Sequence, residues 1–177
     1  VPVHPSYPRA IQLIMLTDQR VEQIARLHID QWDPKERIID WSKTKNMLPH
    51  AIPLPSLAAE LIESITPGPG GWFFPSAKDP NQPVGHGTLY SFTWRQRDRG
   101  VIPFATNRDL RRTWKTLSGK AGIAKEIRDR IQNHSLQDIS SKNYDRWNYM
   151  PEKRAAMAKW DRYVRGLLAR KDLKKAA

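Results

Sequence analysis

The sequence predicts a mainly α-helical fold with one small antiparallel β-sheet. Along most of the chain apolar residues recur at steps of three and four, which is typical of amphipathic helices. Near the N-terminal third, two short apolar and aromatic stretches flank an Asp33-Pro34 turn, and this pattern indicates a hairpin. No internal repeat or low-complexity tract interrupts the 177 residues, so we expect a single domain over residues 1–177.

The N-terminal elements follow from these patterns in order. After a proline-rich lead-in, the apolar spacing predicts one helix over about residues 8–27. Residues 27–32 and 37–41 predict two strands, and residues 51–54 predict a third. Pro53 cannot donate a ladder hydrogen bond, so we expect the third strand at an edge of the sheet.

The remainder of the chain predicts helices separated by loops rich in glycine and proline. The clearest loop is the Thr-Pro-Gly-Pro-Gly-Gly segment at residues 66–71. Periodicity predicts helices over about residues 55–65, 87–97, 107–121, 125–133 and 151–169, with a short helical piece near 142–147.

The composition favours some classes of function and excludes others. The formal net charge of +12 favours a polyanionic partner such as DNA, RNA or an anionic membrane surface, a basic enzyme without such a partner being the alternative. The absence of cysteine excludes disulfides, thiolate catalysis and cysteine metal sites, and it fits a reducing compartment. The longest apolar run is too short to span a bilayer and no signal-peptide pattern is present, so we expect no membrane-spanning segment and no secretory signal. The chain begins at Val1 rather than Met, from which we expect it to be an excised piece of a longer protein.

Arg20 lies within an apolar stripe. Leu13, Leu16, Ile24 and Leu27 flank it at helical spacing. A guanidinium that faces a core cannot lose its proton to avoid the cost of burial, so it needs a nearby anion. That anion is either a carboxylate of this protein or a ligand such as a phosphate.

Arg111 flanks the apolar stripe of a helix that begins nearby, with Thr106 or Asn107 as its N-cap. The free N–H groups and the dipole of a helix start favour anions, and an arginine there strengthens that preference. The alternative is an exposed basic helix face, which fits Arg108 and Arg112 better than Arg111.

Three further residue types complete the set of candidates. Lys45 lies between two predicted strands, where a lysine is usually a solvated charge, and Lys43 is its rival. His134 continues a helical stripe, where a capping or core role is the alternative. Tyr144 lies in a charged segment, where its ring can pack and its hydroxyl can reach water. The other histidines have no metal-ligand spacing, so we expect neither a metal nor a cofactor.

In chain order these candidates resemble the catalytic domain of tyrosine recombinases, the phage integrase family. Residues 16–20, Leu-Thr-Asp-Gln-Arg, resemble the family's L-T-G-x-R segment with the first catalytic arginine at Arg20. Lys45 stands eight positions before the Pro53-Leu54 pair, as the family's catalytic lysine does, whereas Lys43 stands ten before it. Residues 108–113, Arg-Asp-Leu-Arg-Arg-Thr, resemble the H-x-L-R-x-T box with the second arginine at Arg111.

The resemblance continues to the end of the chain and covers about residues 8–169. Asn133-His134 resembles the later G-H motif, and Tyr144 takes the place of the nucleophile. The segment after Tyr144 and the tryptophan-containing last helix resemble integrases of prophages and genomic islands. One position departs from the pattern: Arg108 stands where the box begins with histidine, and arginine cannot accept a proton. His134, a water or the substrate phosphate would then have to take the proton of the tyrosine.

The resemblance implies site-specific DNA recombination, the integration or excision of a mobile element. Arg20 and Arg111 would clamp the scissile phosphate without a metal. Tyr144 would form a 3′-phosphotyrosine bond, and Lys45 would act as the general acid. His134 would contact the phosphate or transfer a proton. The energy of the cleaved bond is kept in the phosphotyrosine bond, so rejoining needs no ATP.

The implied partners are double-stranded DNA at attachment sites and further copies of the chain in a tetrameric synapse. The expected location is the bacterial cytoplasm, on the nucleoid when bound to DNA, with no membrane partner. We expect this chain to lack the family's N-terminal DNA-binding domains. The apolar stripe of the last helix is explained by core packing, with docking on a neighbouring copy as the alternative. Further cations could contact backbone phosphates or simply form solvated helix faces: Arg95, Arg97, Arg99, Lys115, Lys120, Lys125, Arg128 and Arg130.

Two other functions remain open. A type IB topoisomerase shares the arginine, lysine, histidine and tyrosine chemistry, although the compact size and the prophage-like motifs argue against it. A DNA-binding module with impaired catalysis is the non-enzyme alternative, and Arg108 is its best support.

Overall fold

The computed structural model describes residues 4–41, 50–102, 106–134 and 149–176. Within these ranges seven α-helices and one three-stranded antiparallel sheet form a mainly helical fold, which confirms the predicted fold class. The helices are α1 (Tyr7–Thr17), α2 (Val21–Ala25), α3 (Ser56–Glu63), α4 (His86–Asp98), α5 (Asn107–Lys120), α6 (Lys125–Ile131) and α7 (Met150–Ala176). No helix within the described ranges is long and apolar enough to cross a lipid bilayer.

The sheet comprises β1 (Trp32–Asp33), β2 (Ile38–Trp41) and β3 (His50–Pro53), in the order β1-β2-β3. Its strands are antiparallel, and the register places Ile39 opposite Ile52. Both of these residues are fully buried, so this face of the sheet contributes to the core. The edge position predicted for the third strand is confirmed.

The first predicted strand is much shorter than expected. Ile29–Gln31 form a 3₁₀ helix, and only the last residue of the predicted stretch, Trp32, enters the sheet. The backbone N–H of Asp30 donates to Nδ1 of His28 at 3.3 Å, and the N–H of His28 donates to the Gln31 side chain at 3.0 Å. These local side-chain bonds compete with the extended ladder, which explains the turn.

The prediction of a single helix over residues 8–27 is wrong, because the first helix ends at Thr17 and a second begins at Val21. Asp18 adopts the left-handed conformation, with φ of +60°, and its N–H donates to the Ile14 carbonyl at 2.8 Å. Aspartate tolerates this conformation better than most residues. Arg20 is therefore the extended N-cap of α2 (φ −66°, ψ 145°) and not a mid-helix residue.

Two hydrophobic clusters fill the interior of the described chain. The first is formed by α1 to α4 and the sheet, and the second by α5 to α7. Helix α5 contacts both, because Leu110 packs against the first cluster and Trp114 is buried in the second. The two clusters are also joined through α7, where Lys153 Nζ donates to the Ala51 carbonyl at 2.9 Å.

The apolar stripe of α7 is a core element only in its first half. Met157 and Trp160 are buried, and Val164 packs beside them. Leu167 and Leu168 are 40% and 49% exposed. The core interpretation is therefore confirmed for the first part of the stripe alone.

Candidate active site

The two predicted arginines lie close together where the clusters meet. Nε of Arg111, on α5, is 3.3 Å from Oδ1 of Asp18, which stands two residues before Arg20. Burial lowers the pKa of Arg20, and the positive charge of Arg111 is the next largest cause. The fold thus brings together two guanidinium groups that are far apart in the sequence.

Asp18 supplies the carboxylate for this pair, a role that was not predicted from the sequence. Its side chain is fully buried, and Oδ2 has no hydrogen-bond partner among the described residues. Burial raises the pKa of Asp18 to about 7, although the charge of Arg111 acts in the opposite direction. The one available signal was that an aspartate stands where the L-T-G-x-R segment has glycine.

Arg20 retains a donor without an acceptor. Its side chain is half-buried, and Nη1 is buried with no hydrogen-bond partner within the described ranges. The sequence left open whether a carboxylate or a ligand satisfies this arginine. Asp18 makes its direct contact with Arg111, and a buried, unpaired charged donor costs more than the roughly 1–3 kcal/mol typical of neutral groups. This position therefore suits an anionic ligand.

Gln19 fixes the backbone that carries both Asp18 and Arg20. Its Nε2 donates to the carbonyls of Thr17 at 2.8 Å and Ile131 at 2.9 Å. Both amide hydrogens are then used, so Oε1 must accept from Nε2 of His50 at 2.9 Å. The link to Ile131 joins α6 to this segment, and it was not predicted from the sequence.

His50 is neutral in this network. Its ring is buried and stacks on Trp41, with centroids 5.7 Å apart and an interplanar angle of 11°. Burial lowers the pKa of His50 to about 3, followed by the charges of Lys153 and Arg20. His50 is thus a structural support of the site with its proton on Nε2.

His134 also comes near the arginines. It follows α6, and its Nδ1 lies 3.7 Å from Oδ1 of Asp129, which accepts a hydrogen bond from Lys115 at 2.7 Å. Burial lowers the pKa of His134, and the charges of Lys115 and Arg111 lower it further. His134 therefore titrates within the electrostatic field of the site.

No family model matches the chain, and no curated protein matches its sequence. Among solved structures, the integrase from mycobacterium phage Brujita is similar to this chain, with a TM-score of 0.72 and 18% identity. The match covers 91% of this chain and 53% of the integrase. XerA recombinase matches 97% over 64% of its own chain, at 15% identity with a TM-score of 0.60. A lambda integrase dimer bound to a COC' core site matches 81% over 44% of its own chain, at 19% identity with a TM-score of 0.62.

The chain has the tyrosine recombinase catalytic-domain fold. It spans 53% of the phage integrase and 64% of the XerA recombinase, so it corresponds to a part of each.

The backbone conformation explains two positions at which the tyrosine recombinase motifs have glycine. Asp18 and Asn133 stand at those positions, with φ of +60° and +50°. Glycine adopts positive φ freely, and aspartate and asparagine are the side chains that tolerate it best. Both departures from the motif therefore preserve the backbone.

Arg108 occupies the histidine position of the tyrosine recombinase box, one turn before Arg111. The predicted cap of α5 is confirmed: Thr106 accepts from the Asp109 N–H, and Asp109 accepts from the Thr106 N–H at 2.9 Å. Arg108 is exposed and makes no hydrogen bond or ion pair with the described residues. It can offer a positive charge to DNA but no proton acceptor.

Lys45, its rival Lys43, and Tyr144 lie outside the described residues, so their roles stay predictions. Tyr149 is the tyrosine nearest to Tyr144 in the sequence. Its ring is covered by Arg130, whose Cζ lies 3.4 Å from the ring centroid.

Several of the cations that could contact backbone phosphates have intramolecular partners. Lys115 pairs with Asp129, Arg130 pairs with Glu126 at 3.0 Å, and Arg128 donates to the Lys115 carbonyl. In the described part of the chain, no group of three or more histidine and acidic side chains could hold a metal ion.

We expect the buried neutral state of His50 to make the fold sensitive to acid. Its pKa is about 3 in the fold against about 6.5 when unfolded, so the unfolded state binds more protons between these values. Stability from this group is present above pH 6.5 and is lost as the pH falls. Urea denaturation gives the free energy of unfolding at pH 7 and at pH 4. Between these pH values it should decrease less for His50→Gln than for the wild type, by on the order of 2–4 kcal/mol.

The matched control is His86→Gln, because His86 is exposed. It should follow the wild-type pH dependence. Asp18 titrates in the opposite sense but is present in all three proteins, so the difference isolates His50. The same loss in His50→Gln as in the wild type would contradict the buried neutral imidazole.

Proposed function

We propose that this chain carries out site-specific DNA recombination by cleaving and rejoining strands through a 3′-phosphotyrosine intermediate, in the integration or excision of a mobile element. The observation that carries the proposal is Nη1 of Arg20, which is buried beside Arg111 without a hydrogen-bond partner among the described residues, in a fold shared with integrases and recombinases. We place the protein in the bacterial cytoplasm, on the nucleoid when it is bound to DNA.

The arginine pair suits a phosphodiester. Arg111 uses Nε for Asp18, and its Nη groups make no hydrogen bond within the described ranges. These groups and Nη1 of Arg20 can donate to the two non-bridging oxygens of one phosphate. Such donors stabilise the extra negative charge of the five-coordinate transition state without a metal.

The reaction then needs a nucleophile and a proton donor. Oη of Tyr144 bonds to phosphorus while the bond from phosphorus to the 5′ oxygen breaks, and Lys45 protonates that oxygen. The proton of the tyrosine passes to His134, a water or the substrate phosphate, because Arg108 cannot accept it. Nearby cations would also lower the pKa of the tyrosine from about 10.

The net charge of +12 supports a double-stranded DNA partner. The lambda integrase structures include a dimer on a core site and a tetramer on a Holliday junction. By analogy we propose that this chain forms a homo-tetramer on paired attachment sites. The terminal stripe, exposed at Leu167 and Leu168, is available for contacts between copies.

The test is covalent capture on a suicide substrate. The protein is incubated with a pool of duplexes of randomised sequence. Each duplex carries a nick, so that cleavage releases a short fragment with a 5′ hydroxyl, which diffuses away and cannot be rejoined. We expect a protein–DNA adduct that resists denaturant, and sequencing of the trapped strands should show a shared site. Tight binding without an adduct would instead establish a DNA-binding module. Relaxation of supercoiled plasmid without sequence preference would establish a topoisomerase.

A further inference from the structure

Asp18 adds a charged group at a turn that does not require one. The left-handed backbone at this position is satisfied by glycine, which the L-T-G-x-R segment has there. Aspartate keeps the same turn, with φ of +60°, and introduces a carboxylate. The question is what that carboxylate does for the neighbouring arginines.

The backbone that carries the Asp18 carboxylate is fixed on both sides. The backbone N–H of Asp18 donates to Ile14 at 2.8 Å, and Gln19 anchors the next residue to Ile131 at 2.9 Å. The Asp18 side chain is fully buried, and the Arg111 side chain is 19% exposed. Because Asp18 contacts Nε, the Nη edge of the Arg111 guanidinium has no hydrogen-bond partner among the described residues and can face a ligand.

The charges that face Asp18 are positive. Arg20 lies on the same segment, and Arg111 and Lys115 reach it from α5. Gln132, after α6, is the neutral neighbour. One negative charge among three cations offsets the repulsion between Arg20 and Arg111 and keeps the pair assembled before a ligand arrives.

We propose that Asp18 is a positioning residue, which aims the Nη edge of Arg111 at the scissile phosphate and holds Arg111 beside Arg20. This rests on the proposed function. Asp18 itself touches no substrate, since it is fully buried behind Arg111.

Two variants test the role, and both keep the turn. Asp18→Asn preserves shape and tolerance of positive φ, and Asp18→Gly restores the residue of the motif. With the trapped site as substrate, we expect the cleavage rate at saturating DNA to fall by about 10–100-fold in each. DNA affinity should stay the same or increase, because a negative charge has been removed. The fold should be at least as stable above pH 7, where the wild type must bury an ionised carboxylate.

The pH profile gives a readout that a merely structural residue would not change. Burial raises the pKa of Asp18 to about 7, so wild-type cleavage should fall as the pH drops through this value. Asp18→Asn should lack that decrease. Asp30→Asn is the matched control, because Asp30 is 84% exposed and should retain the wild-type rate and profile.

A second measurement does not depend on cleavage. The Nε–H resonance of Arg111, identified by its loss in Arg111→Lys, should be protected from solvent exchange in the wild type and lose protection in Asp18→Asn. Equal protection in both proteins would overturn the positioning role. If both Asp18 variants cleave with the wild-type rate and pH profile, the positioning role is overturned while the proposed function stands. If the wild type forms no adduct, the proposed function is refuted, and the exchange measurement still decides whether Asp18 holds Arg111.

Discussion

Arg20→Ala is expected to lower the cleavage rate by about 10³-fold or more while leaving most of the DNA affinity. The removed guanidinium contributes a buried Nη1 donor that has no partner among the described residues. Its interaction with the phosphate strengthens as negative charge develops in the transition state, so the loss appears mainly in the rate. Single-turnover cleavage of the trapped site, with binding measured separately by gel shift, checks this.

The matched control for this substitution is Arg26→Ala. Arg26 is exposed and lies one residue after α2, so it removes the same charge without affecting the arginine pair. Arg20→Ala should also unfold at no lower urea concentration than the wild type, because it removes an unsatisfied buried donor. Full cleavage activity in Arg20→Ala would refute the role of Arg20 in binding the phosphate.

Tyr144→Phe is expected to form no covalent adduct at all, because phenylalanine has no oxygen to attack phosphorus. DNA binding should persist, since the substitution leaves the ring and the net charge of +12 unchanged. The measurement is the capture experiment on the trapped site, with denaturing electrophoresis of the products. Complete loss of the adduct with retained binding is the expected result.

Tyr149→Phe is the matched control for the nucleophile. The Tyr149 ring lies beneath Arg130 at the start of the last helix, which fits a packing role, and its adduct yield should match the wild type. An adduct that persists in Tyr144→Phe and disappears in Tyr149→Phe would transfer the nucleophile role to Tyr149.

The fold class was predictable because its signals are local. Amphipathic spacing along α3 to α6 and the apolar stretches around the hairpin need only neighbouring residues to be recognised. The break at Asp18 was missed because the apolar stripe continues across it: Leu13 and Ile24 are both fully buried in the first cluster, although they belong to different helices. Periodicity cannot distinguish one helix from two that pack into the same core.

The site was predictable only as a set of residue types. The sequence predicted that Arg20 needs an anion, but it did not predict that Asp18 would pair with Arg111. That contact joins residues 93 positions apart, and the Gln19–Ile131 bond joins residues 112 positions apart. No local pattern encodes such pairs, because they depend on how the two clusters meet.

These long separations have a consequence for the order of events when the chain folds. Contacts between residues so distant in sequence require closure of large loops, and such contacts form after local helices and hairpins. We therefore expect the arginine pair to assemble at a late step, once both clusters exist. Under the proposed function, an incompletely folded chain would carry its positive charge without its paired guanidinium groups, so it would associate with DNA without cleaving it.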